Sequence, residues 1–285
     1  MKKFKHLLVA LDRSQMDESL IQYASFFSNH VKAKKIYFVH NVKKHNTDEI
    51  LDHLVDFDNI QDQIQKEISQ KIQTHYTGKA NYELIISNDP FTESLISYTV
   101  SRFKIDLTIL GKKNDADSSA TLTGKLLRSL KCSILLAPQN SNELFNKILV
   151  GTDFSIIAKR AARIASKLRK KDTKVDFAHV YSTPKHYLPF LEEEKIIKMT
   201  KEHAEKQLEK FILDSKIDTT NSSFHKINKK ENHISVCLQK LADENHYNLL
   251  IIGDKGQNWL SSFLIGSVAE KLYNISIKTP TLVVK

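Results

Sequence analysis

Glycine is scarce in this chain: seven residues in 285, where average usage of about 7% would supply about twenty. Each is therefore expected to mark a place where the backbone needs φ > 0 or a close approach. Cysteine is scarcer. Cys132 and Cys237 cannot form a disulfide scaffold, match no metal-ligand spacing and fit a reducing compartment. Long apolar runs are missing too. The first apolar stretch, Leu7 to Leu11, runs into Asp12 and Arg13, and no later run approaches the ~18–20 residues of a membrane helix. The expectation is a soluble cytoplasmic protein, with neither signal peptide nor membrane partner. Nor is there an acidic excess. Basic residues outnumber acidic ones 43 to 33, divided as 19 to 16 over residues 1–141 and 24 to 17 over 142–285. The densest basic run, Lys167, Arg169, Lys170, Lys171 and Lys174, has no interleaved aromatics. It reads as a solvated surface rather than a nucleic-acid footprint, while the net positive field favours an anionic ligand or partner. The 41% hydrophobic and 27% charged fractions exclude disordered and low-complexity classes.

What is present is a repeat. Phe4-Lys-His-Leu-Leu-Val-Ala-Leu-Asp12-Arg-Ser14 aligns with Phe145-Asn-Lys-Ile-Leu-Val-Gly-Thr-Asp153-Phe-Ser155. Ile36–His40 likewise aligns with Val175–His179, and Leu107–Gly111 with Leu249–Gly253. The chain therefore reads as two copies of one unit, 1–141 and 142–285, divided in the polar stretch after Pro138.

In each copy, short apolar runs rich in β-branched residues alternate with segments of helical period. Copy one reads as strands at Leu7–Leu11, Ile36–His40, Tyr82–Ile86, Leu107–Leu110 and Ile134–Ala137. Between them lie a helix carrying Leu20, Tyr23, Ala24 and Phe27, helices near 48–76 and 90–104, and a short fourth helix. Copy two places strands at 148–151, 175–180, 222–227, 249–252 and 281–284, with Ala161, Ile164, Ala165 and Leu168 on one face of its first helix. Asp89-Pro90 and Asn232 read as helix starts, the latter before a stripe of Ile234, Cys237, Leu238 and Leu241. Near-continuous apolar strands joined by crossover helices imply a parallel sheet covered on both faces. Each copy is expected to be a doubly wound α/β domain.

Ligands of such sheets bind beyond the strand carboxyl ends, where the strand order reverses. In copy two those positions hold Gly151-Thr152-Asp153, His179-Val180-Tyr181 and Gly253-Asp254-Lys255-Gly256. Gly266 and Ser267 follow, opening the helical run that starts at Val268. Closely spaced glycines before a helix start, with Ser267 adding a hydroxyl, read as a phosphate cradle. Asp153 has no cationic neighbour in sequence, so a ligand donor is a sensible partner. The alternative is a helix cap shared with Ser155. His179 and its counterpart His40 read as packed strand-end histidines.

Gly253-x2-Gly256-x9-Gly266-Ser267, together with Ile148-Leu-Val-Gly-Thr-Asp153-Phe-Ser155 and His179-Val180, resembles the ATP-binding type of universal stress protein. The resemblance spans the chain as two tandem copies. It implies a five-stranded parallel sheet of order 3-2-1-4-5 holding ATP, with or without magnesium, between strands 1 and 4. Asp153 would contact adenosine, Val180 would offer its backbone to adenine, and Ile252 would line the base pocket. Gly253, Gly256, Gly266, Ser267 and Val268 would hold ribose and phosphates, and Thr152 completes the set. It also implies that such domains pair through strand 5, giving an internal pseudo-dimer or a homodimer.

Copy one departs from this pattern. Position 114 is Asn, Gly124 falls thirteen residues after Gly111, and Lys125 stands where Ser is expected. The segment from Gly124 to strand 5 is also short enough to move Gly124 into the last helix. One nucleotide site per chain is therefore expected, in copy two. No Gly-x4-Gly-Lys-Ser/Thr loop, Gly-x-Ser-x-Gly turn or His-Glu-x-x-His helix occurs, so the reading is a regulatory protein rather than an enzyme. Asp254 and Lys255 could meet phosphate or magnesium. The competing readings are a scaffold that binds no nucleotide and a slow ATPase or self-phosphorylating protein.

Overall fold

A computed structural model describes residues 4–42, 57–113, 118–182, 192–256, 266–272 and 275–285. The chain divides into two compact units, Met1–Glu143 and Leu144–Lys285.

In the N-terminal unit the elements run β1 (His6–Leu11), α1 (Met16–Val31), β2 (Lys35–Asn41), α2 (Phe57–His75), β3 (Asn81–Ser87), α3 (Thr92–Arg102), β4 (Leu107–Lys112), α4 (Ser118–Ser129) and β5 (Ser133–Pro138). All pairings are parallel, in the order 3-2-1-4-5. The C-terminal unit repeats the plan with β6 (Lys147–Gly151), α5 (Ile156–Leu168), β7 (Lys174–Tyr181), α6 (Glu193–Ser215), β8 (Phe224–Asn228), α7 (Ile234–Glu244), β9 (Leu249–Gly253), α8 (Ser267–Leu272) and β10 (Thr281–Val284). Its parallel sheet runs β8-β7-β6-β9-β10. Each unit has the expected doubly wound architecture. Residues 48–56 of the long predicted helix lie outside the described residues.

Burial explains the pattern. Leu7, Leu8, Val9, Ile148, Leu149 and Val150 in the central strands are fully buried, because helices cover both faces. The outer strands β3 and β8 are mostly half-exposed. The α1 stripe Leu20, Tyr23, Ala24 and Phe27 and the α5 stripe Ala161, Ile164, Ala165 and Leu168 are buried as their period predicts. The α7 stripe is turned by one residue. Its buried positions are Ser235, Leu238, Gln239 and Ala242, and Ile234 borders a cavity rather than a packed layer.

Helix starts follow local chemistry. The Ser155 hydroxyl caps α5, accepting the Ala158 N–H at 3.1 Å. For α7 the cap is His233 rather than Asn232, since its imidazole Nδ1 accepts the Ser235 N–H at 3.3 Å. At α3, Asp89 bonds the Phe91 N–H at 2.8 Å and turns the chain before the helix instead of capping it.

Of the two uses expected of glycine, close approach is met and positive φ is not. None of the described glycines has a positive φ, whereas Arg13, Lys32, Phe154 and Lys216 are among nine other residues that do. Lys32 and Lys216 close α1 and α6 in the left-handed conformation that glycine would occupy at lower steric cost. Glycine is kept here for want of room, not for want of torsional freedom.

Candidate functional site

In the C-terminal unit the strand order reverses between β6 and β9, opening a crevice at their carboxyl ends. A cavity of about 600 Å³ occupies it, within the range of small-molecule sites. All nine residues anticipated from the sequence line this one cavity: Thr152, Asp153, Val180, Ile252, Gly253, Gly256, Gly266, Ser267 and Val268.

The turn after β6 is held from several directions. The Thr152 N–H donates to the Ala178 carbonyl at 2.8 Å, and the Thr152 hydroxyl accepts the Phe154 N–H at 3.0 Å. His179 Nδ1 lies 2.9 Å from the Thr152 carbonyl. A carbonyl only accepts, so Nδ1 carries the proton and the neutral ring keeps Nε2 as an acceptor. Burial lowers the His179 pKa, although the Thr152 bond opposes the shift. The ring also packs 4.5 Å from that of Phe154. A packed strand-end histidine is what the structure contains.

In Asp153 one oxygen joins the local turn. Oδ1 accepts the Ser155 N–H at 3.1 Å, while capping itself belongs to Ser155. Oδ2 lies 2.8 Å from the point where a Gly256 Cβ would stand. Any side chain at 256 would collide with that carboxylate. Glycine at 256 thus keeps Asp153 exposed to the cavity.

The glycine-bearing loop is tied to itself and to β10. The Asp254 N–H donates to Val284 at 2.9 Å, and the Gly266 N–H donates to the Asp254 carbonyl at 2.6 Å. A Cβ on Gly266 would stand 2.9 Å from that carbonyl oxygen and 3.2 Å from Lys255 Cα. Gly266 therefore lets two backbone segments touch. The Asp254 carboxylate, 4% exposed, lies 3.4 Å from Lys285 Nζ. It is absent from the cavity lining and is buried, rather than the solvated loop carboxylate that is the default reading, whereas Lys255, the other residue that could meet phosphate, does line the wall.

Sequence reasoning missed the wall contributed by α6. Thr200, His203, Ala204 and Gln207 line the cavity, at i, i+3, i+4 and i+7 on one helix face. That spacing was legible, but a mixed polar and apolar stripe carries no signature of a ligand wall.

The profile of the Universal stress protein family matches residues 144–285. Universal stress protein A of Buchnera aphidicola subsp. Baizongia pistaciae (strain Bp) is 30% identical over 145 residues, covering 48% of this chain and 99% of that protein. The chain belongs to the universal stress protein family. Its fold also matches a universal stress protein from Archaeoglobus fulgidus DSM 4304, with a TM-score of 0.68 at 17% identity over 99% of this chain and 97% of that one. A protein of unknown function from Pseudomonas aeruginosa PAO1 shares the fold at 13% identity and a TM-score of 0.61, over 99% of this chain and 92% of that one.

In this universal stress protein the N-terminal unit has its own cavity of about 680 Å³, at the ends of β1 and β4. The strand 1 turn is the same: Arg13, like Phe154, has a left-handed φ, and His40 Nδ1 lies 2.9 Å from the Leu11 carbonyl. The chemistry around it differs. Lys113 bonds Asp12 at 2.7 Å, and buried Asp17 accepts the N–H groups of Asp12 and Arg13 at 3.1 and 2.9 Å. Gly124 lies inside α4 rather than ahead of it, the outcome that the short segment before β5 implied.

Proposed function

We propose that the C-terminal unit binds ATP in the crevice between β6 and β9, and that nucleotide occupancy governs a regulatory role in the cytoplasmic stress response. One observation carries this reading: nine residues drawn from separate segments of the sequence line a single cavity of nucleotide size. Gly256 supplies the fit, since a Cβ there would fill the space beside the Asp153 carboxylate. On this reading Asp153 and Val180 hold the adenosine end, Ile252 lines the base, and Gly253, Gly256, Gly266, Ser267 and Val268 receive ribose and phosphates. Magnesium accompanies the phosphates rather than occupying a protein-built cage.

A regulatory rather than catalytic role is favoured by how the polar groups are spent. His179 Nδ1 is engaged by Thr152, one Asp153 oxygen by the Ser155 N–H, and Asp254 by Lys285. The resemblance carries the further proposal that the two halves, or two chains, pair through their fifth strands. Isothermal titration of the full chain with ATP tests the main reading. Binding that is lost in Asp153→Ala supports it, and no heat up to millimolar ATP overturns it. Steady phosphate release by the parent protein, absent from Gly256→Val, would replace the regulatory role with an enzymatic one.

A further inference from the structure

We infer that the N-terminal cavity is a second, chemically different site, which binds an uncharged, part-apolar molecule of nucleoside size through a donor given to Asn41. Asn41 ends β2, lines the cavity and is 9% exposed. Its Nδ2 donates to the Asp89 carbonyl at 2.8 Å and to the Thr92 hydroxyl at 3.0 Å. Because the Asp89 carbonyl can only accept, the amide orientation is fixed. That leaves Oδ1 as a buried acceptor with no partner among the described residues. Such an atom is costly to keep unless something donates to it. His40 lines the same cavity and, by donating from Nδ1 to the Leu11 carbonyl, keeps Nε2 as a second acceptor.

Charge sets the ligand class. Among the described residues, the two cations lining the cavity are paired, Lys113 with Asp12 and Arg13 with Glu67, both at 2.7 Å. Lys125, which follows Gly124 inside α4, pairs with Glu93 at 2.6 Å. A phosphate or carboxylate would have to break an ion pair to find a partner. A hydroxyl or amine on a neutral ring would meet the His40 acceptor and, on displacing the side chains that seal it, Asn41 Oδ1, in a cavity otherwise bordered by side chains such as Leu20, Val39 and Ile96.

Matched neutral and anionic probes test this on the full chain: adenosine against its 5′-monophosphate, and benzamide against benzoate. The side-chain amide resonances of Asn41 report the N-terminal site, and backbone signals around Gly256 report the other, so the two sites can fail separately. A neutral probe should move the Asn41 signals and bind at least about tenfold more tightly than its anionic partner, and Asn41→Leu should weaken it about tenfold. Should that variant unfold, Gly111→Val narrows the same cavity. Its Cβ would stand 3.0 Å from the flexible Met16 sulfur, and binding should be lost with the circular dichroism unchanged. No shift at Asn41 with either neutral probe at millimolar concentration overturns the inference. So does equal affinity for the anionic partners, or unchanged binding in a folded variant.

Discussion

Lys113 Nζ lies 2.7 Å from Asp12 Oδ2, whereas the corresponding Asp153 sets its Oδ2 beside Gly256. The same turn, built twice, sets its carboxylate against Lys113 in one unit and beside Gly256, at a cavity wall, in the other. Burial pushes the Asp12 pKa up, but Lys113 and the Ser14 hydroxyl and amide outweigh it and hold the carboxyl below its ordinary value. Stability from this pair is present above the unfolded carboxylate pKa and is lost as pH falls through the lowered one. Lys113→Met should raise the Asp12 pKa, as followed by carboxyl NMR. Because the pair is largely solvent-exposed, the stability change should stay within about 1 kcal/mol.

Asp17 behaves in the opposite way. It is 2% exposed, and burial raises its pKa to about 6 despite the two N–H groups it accepts. The native state thus holds the proton more tightly than the unfolded chain does. Stability should fall as pH rises from about 4 to about 6, by roughly 3 kcal/mol at 1.4 kcal/mol per pKa unit, and level off above. Asp17→Asn should flatten that part of the profile in urea unfolding measured across pH.

Two glycine substitutions should separate binding from folding. At Gly256 an added Cβ meets only the end of the Asp153 side chain, whereas at Gly266 it meets backbone. Gly256→Val should keep the unliganded Tm close to the parent value and lose the stabilisation by ATP, which is about 2.7 kcal/mol at a hundredfold excess over Kd. Gly266→Val should lower the unliganded Tm by several degrees, because the Asp254 carbonyl must move. Thermal scans with and without ATP distinguish them. Equal loss of ligand-free stability in both would show that Gly256 serves packing alone.

Ser155→Ala removes a buried cap hydroxyl and leaves the Ala158 N–H without its partner. The expected loss is about 1 kcal/mol, read by denaturant unfolding of the C-terminal unit. Ser155→Asp, which restores an acceptor, should recover most of it.

His179→Phe keeps the ring against Phe154 but removes the donor to the Thr152 carbonyl. A buried carbonyl left unpaired costs about 1–3 kcal/mol, so the variant should unfold at lower urea. Its ATP affinity should fall as the Thr152–Asp153 turn loosens. Unchanged affinity in the folded variant would show that the turn is held without the histidine.

The sequence by itself determined the duplication, the two α/β units and the stripes of α1 and α5, because strand runs and helical period are set by which residues must leave water. It also indicated, by the short segment before strand 5, that Gly124 belongs inside the last helix of its unit, where the structure has it. What the glycines do was decided only in three dimensions. Their scarcity suggested left-handed turns or close approaches, yet lysine, arginine, asparagine, histidine and phenylalanine take those turns. Glycine instead stands where a Cβ would strike Asp153 or the Asp254 carbonyl. Torsion is a local property that several residues can meet at modest cost, but contact between segments far apart in sequence exists only after folding. For the same reason the Asp254–Lys285 pair and the unpartnered Asn41 oxygen left no trace in the chain, and the legible spacing of the α6 wall carried no sign of a ligand. Each depends on which atoms the sheet brings within a few ångströms of one another.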